Sequence, residues 1–199
     1  MRIQDRDRDI LSWINGFGFV LSKEIQSKFF GNQQATSRRL VLLREAGFLE
    51  KKYVFIGEAP IYLCTKMGLN LIGDDLPLVQ NLGLGTFKHD ILLSKLSIDL
   101  EKKLDAKFIP ERRLRQNPES YNVRNHIPDG LLITKEKTVS VELELSRKNK
   151  QRINRIMRDH SMNIEINEVW YFVSDDLLKD FILSEAKRAK FTSIKVFSI

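Results

Sequence analysis

Gln33-Gln-Ala-Thr-Ser-Arg-Arg-Leu-Val-Leu-Leu-Arg-Glu-Ala-Gly47 decides how the first third of this 199-residue chain folds. Leu40, Leu43 and Val41 form an inward apolar stripe for a helix over about 34–46, and Gly47 supplies its C-terminal stop. Two shorter helices precede it. In Asp5-Arg-Asp-Arg-Asp-Ile-Leu-Ser-Trp-Ile14, Ile10, Trp13 and Ile14 share a face and acidic residues fill the first turn, before Asn15-Gly16 ends the helix. Ser22 to Phe29 reads as the second, with Ser22 as N-cap and Ile25 and Phe29 as its stripe. Gly31 permits a sharp turn into the third. After Gly47 the period changes to two: Phe48 to Phe55 and Ile61 to Thr65 read as strands joined by Ile56-Gly-Glu-Ala-Pro60. Three helices and a hairpin make the plan of a winged helix-turn-helix, expected over 1–73.

On that plan the third helix enters a DNA major groove by its N-terminal end. That end carries Gln33, Gln34, Thr36, Ser37, Arg38 and Arg39, whose amide, hydroxyl and guanidinium groups can read base edges or grip phosphates. Lys51 and Lys52 open the hairpin and suit backbone phosphates. Double-stranded DNA is the expected partner. The same surface would also serve protein contact or homodimer formation, because exposed Arg and Gln occur on many helices.

Thr65 to Ile72 predicts one more short helix. The segment 74–85, with Asp74, Asp75, Pro77, Asn81, Gly83 and Gly85, reads as a linker. A second domain is expected over 86–199. It opens with a long amphipathic helix, Thr86 to Leu104, followed by strands at Ala106–Pro110, Asp129–Thr134 and Thr138–Leu145. A charged helix comes next, about 147–162. Then follow a strand Val169–Val173, a helix 175–190 capped by Ser174, and a strand Ser193–Phe197. The class is α+β or α/β with a mixed sheet.

Composition narrows the setting. The hydrophobic share is 42% and no apolar run approaches a membrane span, so no membrane role is expected. The charged N-terminus is unlike a secretory signal and the lone Cys64 fits a reducing compartment, which together point to the cytoplasm. Met1 to Gly85 hold 11 Lys/Arg against 9 Asp/Glu, so most of the net charge of +7 lies beyond Gly85. Lys148, Lys150, Arg152 and Arg155 form a basic helix face suited to a DNA backbone, or simply a solvated one. Arg112, Arg113, Arg115 and Arg124, in a loop, would extend that patch.

Pro128-Asp129, followed by Glu142-Leu-Glu144, resembles the Pro-Asp and acidic-x-Lys motifs of the PD-(D/E)XK nuclease superfamily. The order helix, three strands, helix, strand resembles its core. From Arg6-Asp-Arg-Asp-Ile-Leu11 through Arg38-Arg-Leu40 to His126-Ile-Pro-Asp-Gly130 and Val141-Glu-Leu-Glu-Leu-Ser146, nearly the whole chain is similar to the replication-relaxation proteins and MobC-type mobilization relaxases of plasmids. The resemblance implies a winged helix joined to a nuclease-like domain, acting in plasmid mobilization or replication with other mobilization proteins. It further implies Mg²⁺ or Mn²⁺ held by Asp129, Glu142 and Glu144 for DNA nicking.

Glu142 and Glu144, two apart, share one strand face while Val141, Leu143 and Leu145 take the other. Two carboxylates on so apolar a strand are costly unless paired, hydrated or metal-bound. Glu144 stands where the superfamily has its catalytic Lys. Either Lys148 or Lys150 supplies the cation, or Glu144 is a further ligand, or the domain keeps the fold for DNA binding alone. Glu101 and Glu111 are further ligand candidates, and His126 could orient a water. Tyr121 could serve as a covalent nucleophile. His89, His126 and His160 show no zinc-site spacing.

Overall fold

The computed structural model describes residues 2–121 and 126–199, a mixed α and β chain with eight α-helices and two sheets among those residues. It divides into two compact units, Met1–Asp99 and Leu100–Ile199. No helix among the described residues is long and apolar enough to cross a membrane.

The first unit runs α1 (Asp5–Phe17), β1 (Val20–Leu21) and α2 (Ser22–Ile25, continued by a π-helical turn Gln26–Phe30). Then come α3 (Gln33–Glu45), β2 (Leu49–Lys52), β3 (Ile61–Cys64) and α4 (Lys66–Ile72). Its sheet has the order β1-β3-β2, antiparallel throughout. Ile10, Leu11 and Ile14 of α1, Ile25 of α2, and Leu40 and Leu43 of α3 are almost completely buried. Each such side chain contributes about 1.5–3 kcal/mol by leaving water, and together they hold the helices. At its start, the side chain of Asn32 caps α3 by accepting from Ala35 N at 2.9 Å. At its end Gly47 has φ +78°, with Phe48 N donating to Leu43 O at 2.9 Å and Gly47 N to Arg44 O at 2.9 Å. This is a Schellman stop, which explains why the helix ends there.

Three local expectations change. Val41 faces outward at 44% exposure, because the buried stripe is Thr36-Leu40-Leu43 and Val41 lies off its axis. Ser22 is the first residue of α2, and Leu21 occupies the capping position without a side-chain bond. The strand β1 is only two residues long, too short to show a period. The segment 74–85 packs on the first unit: Asn15 Nδ2 donates to Asp74 Oδ2 at 3.0 Å and to Leu76 O at 3.1 Å, and Leu76 is buried. Val79 and Leu82 join a cluster with Phe19, Leu21, Ile61 and Leu63, so apolar side chains anchor this Pro/Gly-containing stretch.

Helix α5 (Phe87–Leu104) begins in the first unit and ends in the second. The second unit continues with β4 (Lys107–Pro110), α6 (Glu111–Gln116), a 3₁₀ turn Glu119–Tyr121, β5 (Gly130–Ile133), β6 (Thr138–Glu144), α7 (Lys150–Ser161), β7 (Glu168–Val173), α8 (Asp176–Arg188) and β8 (Ile194–Ser198). The sheet order is β4-β5-β6-β7-β8. The first two pairings are antiparallel and the last two parallel. The parallel pairings need crossovers, which α7 and α8 provide. Tyr171, Val169 and Val173 pack with Ile153, Ile156 and Met157 of α7 and Leu178 and Ile182 of α8. Asp175, not Ser174, caps α8, accepting from Leu178 N at 2.8 Å. Arg112, Arg113 and Arg115 lie on α6, a helix whose single apolar anchor, Leu114, gives almost no periodic signal. Arg124 lies outside the described residues.

Candidate functional site

The exposed face of α3 is narrower than its sequence suggests. Gln33, Gln34, Ser37 and Arg38 are exposed, and Val41 and Leu42 extend that face at 44% and 41% exposure. Thr36 is fully buried, its hydroxyl donating to Asn32 O at 2.8 Å. Arg39 turns inward. Its Nε donates to Asp7 Oδ1 at 2.6 Å, its Nη2 pairs with Asp7 Oδ2, and the same nitrogen reaches Arg2 O at 2.9 Å. The Asp7 carboxylate is completely buried and also accepts from Gln4 N at 2.7 Å. Thr36 and Arg39 therefore hold the helix in place and offer nothing to a groove. Lys52 is exposed, whereas Lys51 is half-buried with its ammonium 5.2 Å from the Tyr53 ring. Tyr53, Phe55 and Ile56, in the segment between β2 and β3, are exposed.

In the second unit, Glu142 and Glu144 share a face of β6 and are buried, at 1% and 3% exposure, so they are not solvated surface acids. Each of the three expected carboxylates is engaged. Asp129 Oδ2 accepts from Leu143 N at 2.7 Å. Glu144 pairs with Lys148, four residues on. Glu142 Oε1 lies 2.7 Å from His126 Nε2 and 3.2 Å from His160 Nε2. Burial drives the Glu144 carboxyl above its usual range despite the Lys148 charge, with Glu142 and Asp129 adding to the rise. For Glu142 burial pulls the same way, but the hydrogen bonds and charges of His126 and His160 outweigh it and hold the carboxyl at about 2. His126 shows the reciprocal effect: burial favours the neutral ring, and the bond to Glu142 overcomes it and raises the pKa.

Among the described residues, the group whose ligand atoms lie within 4.8 Å of one another is His126, Glu142 and His160. Asp129 and Glu142 lie near enough for their charges to act on Glu144, so the three carboxylates share one neighbourhood, each with a protein partner. The elements explain the grouping. α7 presents Ile153, Ile156, Met157 and His160 on its buried face, and the last of these reaches β6, 3.4 Å from Ser140 Oγ. His126 precedes β5, and its ring packs edge-on against His160 at 5.2 Å.

Comparison with known families gives no match. The same holds for comparison with curated proteins.

The remaining candidates either contact other protein groups or lie exposed. Glu101 accepts from Phe108 N at 3.1 Å and Glu111 pairs with Arg115. Tyr121 packs against the cluster of Ile109, Leu114 and Leu131. Arg152, Arg155 and Arg158 are exposed on α7, and Lys150 sits 3.9 Å from the buried Glu185. A cleft of about 430 Å³ between α7 and the end of α8 carries Arg158, Arg188 and Lys190. His160, and His126 beyond its suggested water-orienting role, are the members of this group that the sequence did not mark as possible ligands. The separation of 18 residues between Glu142 and His160, and of 16 between Glu142 and His126, matches no metal-binding spacing. The only usable signal was a polar, titratable ring on the apolar stripe of α7.

Proposed function

We propose that the chain is a cytoplasmic protein that binds double-stranded DNA, reading sequence with the exposed face of α3 and gripping phosphates with Lys52 and the cations of α7. The observation that carries this reading is the separation of roles on α3: Thr36 and Arg39 are spent on the fold, while Gln33, Gln34, Ser37 and Arg38 are left to solvent at the helix N-terminus. Amides and a guanidinium so displayed match the donor and acceptor pattern of major-groove base edges. The order helix, strand, helix, helix, hairpin supports a winged helix. Two antiparallel pairings followed by parallel ones, with α7 as the crossover, support a nuclease-like second unit. With the resemblance to replication-relaxation and MobC-type proteins, these features favour a role in plasmid mobilization or replication. The second unit then contacts DNA without cutting it in Mg²⁺, because its carboxylates are already committed to protein partners.

A second reading, metal-assisted nicking, is favoured by one observation: Lys148 joins Glu144 beside Asp129 and Glu142, the charges a nuclease site would need. Incubating the protein with supercoiled plasmid bearing the cognate origin separates the two. Bound, uncut plasmid in Mg²⁺ and in Mn²⁺ is expected, with affinity falling steeply as salt rises. Nicked circles that disappear in Asp129→Ala would replace the binding reading with the nicking one. Absent or salt-insensitive binding would overturn both.

A further inference from the structure

We propose that His126, Glu142 and His160 form a binding site for one transition-metal ion of the zinc class, seated between β6 and α7. The donors are two imidazole nitrogens and one carboxylate oxygen, all within 4.8 Å of each other. Both rings direct Nε2 at the same oxygen, Glu142 Oε1, at 2.7 and 3.2 Å. Ligand atoms of a tetrahedral zinc site, at bonds of 2.0–2.1 Å, stand about 3.3 Å apart. The side chains are therefore gathered close to the separation an ion imposes, and small shifts would admit one. In the metal-free protein both rings contact Glu142 Oε1 directly, and a metal would take the place of those contacts.

The chemistry selects the ion. Imidazole with a single carboxylate suits Zn²⁺, Co²⁺, Ni²⁺ or Fe²⁺, whereas Mg²⁺ and Ca²⁺ take oxygen ligands. Two of the ligands are shut away, Glu142 and His160 having side-chain exposures of 2%, while His126 keeps 21%. The His126 side is thus the entry path. A second, independent feature lies on the neighbouring strand. The Tyr171 hydroxyl is fully buried and has no hydrogen-bond partner among the described residues. In the parallel register Tyr171 pairs directly with Glu142, and paired residues of neighbouring strands project from the same face. A buried phenol without a partner costs on the order of 1–3 kcal/mol. A polar ligand admitted on this face of the sheet would give it one.

A metal here would clamp the loop before β5 and the last turn of α7 to the central strand. It is a different site from the carboxylate set of the nuclease resemblance, sharing only Glu142 with it. The inference does not depend on DNA binding.

The test uses the full chain, stripped with a chelator and dialysed against Zn²⁺ or Co²⁺ alone. One equivalent should remain bound after gel filtration. The Co²⁺ form should show visible absorption with the intensity of a four-coordinate site, and Mg²⁺ at millimolar concentration should not compete. His126→Gln removes the most exposed ligand and should leave the far-UV circular dichroism unchanged while weakening Zn²⁺ binding at least tenfold. His160→Gln should weaken it similarly. Absence of stoichiometric Zn²⁺ and Co²⁺ binding would overturn the proposal, as would full retention of it in both histidine variants.

Discussion

Arg39→Ala is expected to lower the stability of the first unit by about 3–5 kcal/mol, the range for removing one partner of a buried ion pair. Asp7 has no access to water, and three of its hydrogen bonds come from Arg39 and Gln4 N. Deleting the guanidinium leaves a buried carboxylate with one backbone donor. Arg39→Lys should recover only part of the loss, because an ammonium cannot reproduce the two-pronged contact. Replacing both partners by apolar residues, Asp7→Leu with Arg39→Met, should recover more, since no charge is then stranded. Arg38→Ala, one residue away and exposed, should change stability by no more than about 0.5 kcal/mol. Urea unfolding followed by Trp13 fluorescence in a Trp170→Phe background reads the first unit alone. Equal stabilities for Arg38→Ala and Arg39→Ala would show that Arg39 does not carry the contact assigned to it.

Glu142→Gln, in protein stripped of metal, should destabilise the second unit and reverse part of its pH dependence. Glu142 is held at about 2, below its ordinary 4.5, so its contribution is present above pH 4.5 and is lost as pH falls toward 2. A shift of that size is on the order of 3 kcal/mol. His126 is raised above 6.5, so its contribution is complete below 6.5 and is lost as pH rises through the folded value. Stability carried by this cluster should therefore be greatest between about pH 4.5 and 6.5. His160, Asp129, Glu144, Lys148 and Tyr171 surround the pair and are unchanged in the variant. Without the Glu142 charge, burial becomes the main influence on His126 and favours its neutral ring, with Lys148 reinforcing it and Asp129 opposing it. The variant should then gain stability as pH rises toward 6.5, whereas the parent is steady there and loses stability only above 6.5. Urea midpoints from Trp170 fluorescence on both sides of pH 6.5 check the sign. Parallel profiles for parent and variant would disprove the coupling.

Much of the architecture could be read from periodicity because most elements bury one face. The apolar pairs Leu40/Leu43 and Ile153/Ile156 announce α3 and α7, and alternation in Thr138–Glu144 announces β6. Elements with a single anchor, such as α6 with Leu114, or with two residues, such as β1, leave no period to detect. On α3 the decisive distinction was present but fine: Thr36 stands four before Leu40, hence on the buried stripe, and Arg39 flanks it. Residue type marked both as DNA readers, whereas helical phase marks them as packing residues. The buried status of Glu142 and Glu144 could be inferred from the apolar run around them. Their partners could not, because His126 comes from the loop before β5 and His160 from the crossover helix α7, both distant in sequence from β6. Chemistry assembled from distant segments becomes visible only when the topology is known.

The central claim, that the solvent-facing side of α3 reads duplex sequence, is tested most directly by selecting bound molecules from a random duplex library with the full chain. One motif should be enriched, and repeating the selection with Arg38→Ala should erase preference at a defined position while retaining it at others. A pool that stays random, or a motif unchanged by both Arg38→Ala and Gln34→Ala, would contradict the account.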